Sequence, residues 1–292
     1  MSFTQTWVYE KGGNHMIKYT REQGEILDYI PENDGILLVS AGAGTGKSFM
    51  AKEVTKLLNP STGLYTAFNK AIVQEGVSRF EGTNMECKTL HALAYKYVRP
   101  DQEISDISYT CIEEDVSYFI KYQVIQAINN FCVSASTDMY EYFETAFDDS
   151  DAKPKQRKLM EELAIKYLEK MIEGGLAPTF NFLLKYFHLM LVEGTVKPTY
   201  DLVILDEIND TTAVALEIFK LVSAPKKLGL GETNQAIYQF LNLVDGFEEL
   251  EDAPVLSLTQ SWRCSTKIAK AIQTFMRREV SDEFTFVGTD TP

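Results

Sequence analysis

The sequence predicts an α/β protein in which a parallel sheet, flanked by helices, is interrupted by an all-helical insertion. Three observations carry this. Short apolar runs alternate with helix-prone segments over 17–98 and again over 196–258, the pattern of strands paired in parallel through helical crossovers. Between 99 and 195 that alternation disappears. Four helical segments take its place, at 113–135, 138–148, 155–173 and 180–193, separated by the breakers Pro154, Gly174, Gly175 and Pro178. Finally, the apolar run 36–39, bounded by Gly35, breaks into a glycine-rich turn and then into a helix over 49–58.

That turn is the centre of the chain. It reads Ala41-Gly42-Ala43-Gly44-Thr45-Gly46-Lys47-Ser48. Strand, glycine loop and Gly-Lys-Ser in this order form a phosphate-binding loop. Glycines at 42, 44 and 46 let the backbone curl so that several N–H groups face one anion. The helix that follows adds its positive N-terminal end. Lys47 is placed to reach the β- and γ-phosphates of a nucleotide, and the Ser48 hydroxyl to bind Mg²⁺. The pattern usually begins with glycine, and Ala41 is a departure. The loop predicts binding of ATP with Mg²⁺.

Before the loop, residues 1–16 show no periodicity and are expected to form a flexible tail. Thr20 caps a helix that carries Gln23, whose carboxamide offers the donor and acceptor that an adenine edge requires. After the loop, Pro60 stops the helix. A strand over 64–68, a helix opened by Asn69 and Lys70, a strand at 85–87 and the segment 88–95 follow. Past the helical insertion, 201–205 is an apolar strand ending in Asp206 and Glu207. In parallel sheets strand ends converge on one edge, where ligands bind. There Asp206 can hold Mg²⁺ and Glu207 can polarise the attacking water. A helix at 211–222, strands at 227–231 and 255–258, and a helix at 265–276 complete the readable part.

Composition bounds the alternatives. The 292 residues include 28 Lys and Arg against 42 Asp and Glu, a net charge of −14, which excludes a generally basic coat for nucleic acid. Residues 138–151 hold six carboxylates and no Lys or Arg, a solvated helix face and loop. No apolar run approaches the ~18 residues of a membrane span, and the N-terminus has no secretory pattern. Cys87, Cys111, Cys132 and Cys264 show no metal-binding or disulfide spacing, so a reducing compartment, cytoplasmic or nuclear, is expected.

The order of these motifs resembles the UvrD/Rep group of superfamily 1 DNA helicases. The stretches Tyr65-Thr66-Ala67-Phe68-Asn69-Lys70-Ala71 and 87–95 are most similar to the F-box DNA helicase branch. The likeness runs from about 19 to 269, and the insertion shares position and length only. It implies a RecA-like ATP-binding domain over 17–98 and 196–258, with a helical subdomain over 99–195. Residues 259–292 would then start a second RecA-like domain that is otherwise almost wholly absent. It also implies roles. Gln23 resembles the adenine-reading glutamine, and Lys47, Glu207, Gln235 and Arg263 the catalytic set around the γ-phosphate. Ser48 and Asp206 resemble the magnesium ligands. Phe68, Asn69, Thr89, His91, Tyr238 and Phe240 sit where the family touches single-stranded DNA. Aromatic rings there can stack on any base without reading sequence. Tyr65, Phe80 and Tyr95 are assigned to the core.

Three further departures stand out. Asn209 replaces a glutamine, Glu232 an aspartate, and Leu241 an arginine that often follows the aromatic of its motif. The expected function is an ATP-dependent helicase or translocase moving 3′ to 5′ on single-stranded DNA, of which this chain is the front half. The alternatives are a nucleotide-gated binding module of the same ancestry that does not translocate, and an unrelated P-loop enzyme such as a small-molecule kinase.

Overall fold

The computed structural model describes residues 7–9, 17–67, 69–232 and 243–290, with side chains from residue 18 onward. Strands β1 (Trp7–Tyr9) and β2 (Ile17–Tyr19) pair antiparallel ahead of helix α1 (Arg21–Glu32). Within the stretch expected as a flexible tail, 1–16, the three residues 7–9 pair in register with 17–19. Then come β3 (Gly35–Ala41), α2 (Lys47–Leu58), β4 (Gly63–Ala67), α3 (Lys70–Arg79), β5 (Met85–Thr89) and α4 (Leu90–Val98). Four helices follow without a strand: α5 (Tyr118–Val133), α6 (Met139–Thr145), α7 (Pro154–Ile172) and α8 (Phe180–Val192). The strand–helix pattern resumes with β6 (Leu202–Asp206), β7 (Thr211–Thr212), α9 (Ala213–Leu221) and β8 (Lys226–Gly231). Beyond the undescribed 233–242 lie β9 (Leu243–Val244), α10 (Gly246–Glu249), β10 (Val255–Leu258), β11 (Gln260–Ser261), α11 (Thr266–Glu279) and β12 (Val287–Gly288).

Six strands form one parallel sheet in the order β10-β3-β8-β6-β4-β5. Every residue of β4 and β6 is buried, as expected of parallel strands covered on both faces. One face presents Leu37, Val39, Tyr65, Ile204 and Leu228 to α1 and α2. The other presents Leu38, Leu64, Val203 and Leu205 to α4, α8 and α9. Strand β3 and its successor β4 are not neighbours, since β8 and β6 lie between them. The chain therefore leaves β3 on one side and returns on both, which opens a crevice outside the carboxyl ends of the strands. Those ends are Ala41, Ala67, Thr89, Asp206, Gly231 and Leu258.

The helical insertion has a core of its own, built by Val124, Ile128, Phe131, Phe143, Met160, Leu163 and Tyr167. Helix α8 joins it to the sheet. Its Phe182 packs in the helical core, while Leu183, Leu184, Phe187 and Leu191 pack against the sheet side. Helix α5 begins five residues later than 113, because Ser117 caps it by accepting the Ile120 N–H. The residues before the cap are tied elsewhere: the Glu113 N–H donates to the Tyr167 hydroxyl of α7 at 2.7 Å.

Candidate active site

The glycine loop joins β3 to α2. Gly44 and Gly46 have φ of +72° and +102°, a region that side chains with a Cβ rarely adopt. Both the N–H and the hydroxyl of Thr45 donate to the Gly42 carbonyl, at 3.2 and 2.8 Å, and close the turn. Ala41 is the last residue of β3 and is fully buried, so its methyl belongs to the core and the cradle begins at Gly42. That is the physical reason an alanine is tolerated at the first position of the pattern. Lys47 and the half-buried Ser48 open α2.

Across the crevice, β6 delivers Asp206 and Glu207. The Glu207 backbone is left-handed, φ 56° and ψ 50°, a conformation costly for a residue with a side chain and common at functional turns. It turns the Glu207 carboxylate towards the loop, where both oxygens accept from Lys47 Nζ at 2.8 and 3.0 Å. Asp206 is buried and both its oxygens are engaged. Oδ1 accepts the Glu207 N–H at 3.1 Å, and Oδ2 accepts the Tyr65 hydroxyl at 2.5 Å. Asn209 is buried behind them, and its Oδ1 accepts the Glu232 N–H at 3.0 Å. Two of the departures from the family pattern thus meet each other. Burial raises the Glu232 carboxyl pKa above the usual range, opposed by the Lys47 charge.

A third element closes over the loop. The Ser261 hydroxyl donates to the Ala43 carbonyl at 2.9 Å and itself accepts the N–H groups of Arg263 and Cys264. The Trp262 N–H donates to the Gly44 carbonyl at 2.9 Å. A Cβ added to Gly44 would lie 2.4 Å from the Arg263 Cβ, so only glycine allows this approach. Trp262 and Arg263 are both exposed, and Arg263 forms no ion pair among the described residues. Gln23 is buried on α1. Its Oε1 accepts the Thr20 N–H at 3.0 Å in a capping box, which commits the acceptor to the helix end. Its Nε2 lies towards the loop, 3.7 Å from where a Cβ on Gly46 would stand.

The residues assigned to DNA divide into two groups. Asn69 and Thr89 cap α3 and α4 by accepting the Ile72 and Ala92 N–H groups, so each already has a local structural task. His91 lines a cavity of about 310 Å³ together with Ala67, Leu184, Asp206, Glu207 and Thr211. Its Nε2 has no partner among the described residues, Phe180 packs edge-on at 6.0 Å, and burial lowers its pKa. Phe68, Gln235, Tyr238 and Phe240, with the Leu241 departure, lie outside the described residues.

Two residues of this region escaped the sequence reading. Trp262 had a signal, a large aromatic beside Arg263, and was passed over. Tyr65 was assigned to the core, and its ring is indeed fully buried between strand and helix. Its hydroxyl nonetheless reaches Asp206, a contact that depends on which strand neighbours β4.

The residues present fit a nucleotide with magnesium. The loop offers a curled backbone without side chains and one ammonium group. Ser48 and Asp206 are hard oxygen donors, and Mg²⁺ is usually bound through one or two such groups plus phosphate oxygens. Among the described residues no group of three or more His, Cys, Asp or Glu is arranged to hold a metal without them.

The chain is 27% identical over 281 residues to F-box DNA helicase 1 of Gallus gallus, covering 87% of this chain and 27% of that protein. It is 25% identical over 281 residues to F-box DNA helicase protein 1 of Schizosaccharomyces pombe, covering 86% and 32%. The chain thus spans about a quarter to a third of the length of these relatives. Bacteroides sp Pif1, in a crystal structure with ADP-AlF4, shares 14% identity at a TM-score of 0.38, over 90% of this chain and 47% of that one. The profile of the UvrD/REP helicase N-terminal domain matches residues 20–244, from the helix of Gln23 through the loop and the strand-end acids. With more than half of its length so matched, the chain belongs to the family of UvrD/REP helicase N-terminal domains.

Proposed function

We propose that this chain binds ATP–Mg²⁺ and single-stranded DNA as the nucleotide-binding part of an ATP-driven DNA helicase that moves 3′ to 5′. The observation that carries this reading is the Lys47–Glu207 contact. It joins a phosphate loop to a strand-end acid 160 residues away, at the edge where the sheet opens. The curled loop and Lys47 bind the β- and γ-phosphates, and Lys47 exchanges Glu207 for phosphate oxygens as they enter. Glu207 is then free to accept a proton from the attacking water. Ser48 and Asp206 would hold magnesium, which supplies charge neutralisation at the phosphates. Arg263, packed over Gly44, offers a cation from the opposite side. Gln23 Nε2 and the exposed Trp262 indole offer the adenine a donor and a stacking face. Gln235 is the proposed γ-phosphate sensor.

On the DNA side, His91 shares a cavity with Asp206 and Glu207, so a base near His91 would sit directly behind the acids. The matched F-box relatives are named DNA helicases, which favours DNA as the polymer. Phe68, Asn69, Thr89, Tyr238 and Phe240 are proposed to share that contact. An arginine finger is worth about 10³–10⁵ in rate to a P-loop motor. By resemblance such a finger comes from a second RecA-like domain, so the 292 residues assayed by themselves are expected to hydrolyse ATP very slowly. Turnover of the 292-residue chain, measured with and without single-stranded DNA, tests this. Slow hydrolysis that vanishes in Glu207→Gln supports the reading. Absence of nucleotide binding overturns it, and DNA-stimulated turnover of several per second overturns the need for a second domain.

A further inference from the structure

Tyr65 lies on β4 opposite Ile204 of β6, so its side chain shares a sheet face with Ile204 and, two residues on, with Asp206. The ring is fully buried, tilted against Phe80 at a centroid distance of 5.0 Å. Its hydroxyl makes two bonds. It donates to Asp206 Oδ2 at 2.5 Å and accepts from Arg79 Nη1 at 3.2 Å. Arg79 comes from the last turn of α3 and is mostly buried. Room for the ring depends on Gly76 one turn earlier, where a Cβ would stand 2.5 Å from Tyr65 Cε1. Two elements are therefore fitted around one hydroxyl, and that hydroxyl ends on the carboxylate proposed to hold magnesium.

A phenylalanine would fill the same core volume and need no partner. The hydroxyl instead occupies one lone pair of Oδ2, while the Glu207 N–H occupies one of Oδ1. With both oxygens held from behind, the carboxylate cannot rotate. Its remaining lone pairs point in fixed directions. Groups that orient a ligating carboxylate in this way usually matter to metal affinity nearly as much as the ligand.

We propose that Tyr65, backed by Arg79, is a positioning residue that fixes Asp206 for magnesium in the nucleotide complex. This rests on the ATP–Mg²⁺ reading above. The test is a Mg²⁺ titration of the binding of a fluorescent methylanthraniloyl ATP to the full 292-residue chain. Tyr65→Phe should raise the Mg²⁺ concentration at half-effect about tenfold. Nucleotide affinity in EDTA should stay unchanged within twofold. Arg79→Met, which keeps the hydroxyl, should give a smaller shift in the same direction. Asp206→Asn is the control for the site. If it shifts the Mg²⁺ midpoint while Tyr65→Phe and Arg79→Met leave it within twofold of wild type, the positioning role fails and Tyr65 is a core residue only. If Asp206→Asn has no effect on the midpoint either, the ATP–Mg²⁺ assignment itself fails.

Discussion

Lys47 and Glu207 each carry a charge that the other satisfies, at 2.8 Å and with both side chains partly exposed. A solvent-exposed pair is worth about 0.2–1 kcal/mol; this one is part-buried, but a triphosphate offers the ammonium group several charged oxygens in place of one carboxylate. On the reading proposed above, the pair is a resting contact that phosphate would displace. Lys47→Ala should remove most nucleotide binding, a loss of about 1.5–3 kcal/mol for a charged hydrogen bond. Glu207→Gln removes the competitor for Lys47 as well as the base. It should bind ATP at least as tightly as wild type and turn over none, which calorimetry together with a phosphate-release assay would show. Equal affinity of wild type and Lys47→Ala would refute the loop assignment. Gln23 shows what residue type alone conveys. The sequence placed it correctly near the start of α1, but the commitment of its Oε1 to the Thr20 N–H emerges only with the helix end built.

Among the elements, α8 carries the clearest consequence, because it packs on two cores and buries two titratable groups. Lys185 Nζ donates to the Ser134 and Ser136 carbonyls, each at 2.7 Å, and so ties α8 to the turn between α5 and α6. His188 is buried with its Nδ1 unpartnered among the described residues. Burial, and then the nearby Lys185 charge, push its pKa down to about 4. An unfolded histidine takes its proton near pH 6.5, so between 6.5 and 4 the unfolded chain binds more protons than the folded one. The stability that neutral His188 allows is present above pH 6.5 and is lost as the pH falls towards 4. From pH 7 to 5 the loss attributable to this group should be about 2 kcal/mol. Urea denaturation at both pH values should show wild type losing that much more than His188→Gln. Equal losses would mean that His188 takes up its proton in the folded state as readily as in the unfolded one.

For the whole molecule, the balance of charge decides how DNA can be held. With a net charge of −14, general attraction to phosphate is unavailable, so the DNA binding proposed above would have to come from a few stacked bases and local cations. Each neutralised phosphate of a single strand contributes about −0.7 to the slope of log K against log salt. A few contacts therefore give a slope no steeper than about −2, with weak affinity. Replacing His91 or Tyr238 by alanine should cost about 1–3 kcal/mol per base unstacked. Fluorescence anisotropy of a labelled oligonucleotide across a salt series would measure both. A slope near −5 would reveal a basic track and overturn the stacking account.

The sequence by itself determined whatever is settled within a dozen residues of chain. The strand–loop–helix of 35–58, the helix starts at Thr20 and Asn69, and the acidic end of β6 all follow from local propensity, capping chemistry and glycine freedom. Boundaries that depend on a distant partner were less legible, as with the start of α5, where the Tyr167 hydroxyl holds the backbone of Glu113. Only the tertiary structure decided the neighbours. It set β6 between β4 and β8, brought Glu207 to Lys47, laid Arg263 over Gly44, and turned a tyrosine assigned to the core into the support of Asp206. These contacts span from 141 to more than 200 residues of chain. They depend on strand order and register, and a shift of register by one residue would turn Tyr65 to the other face of the sheet.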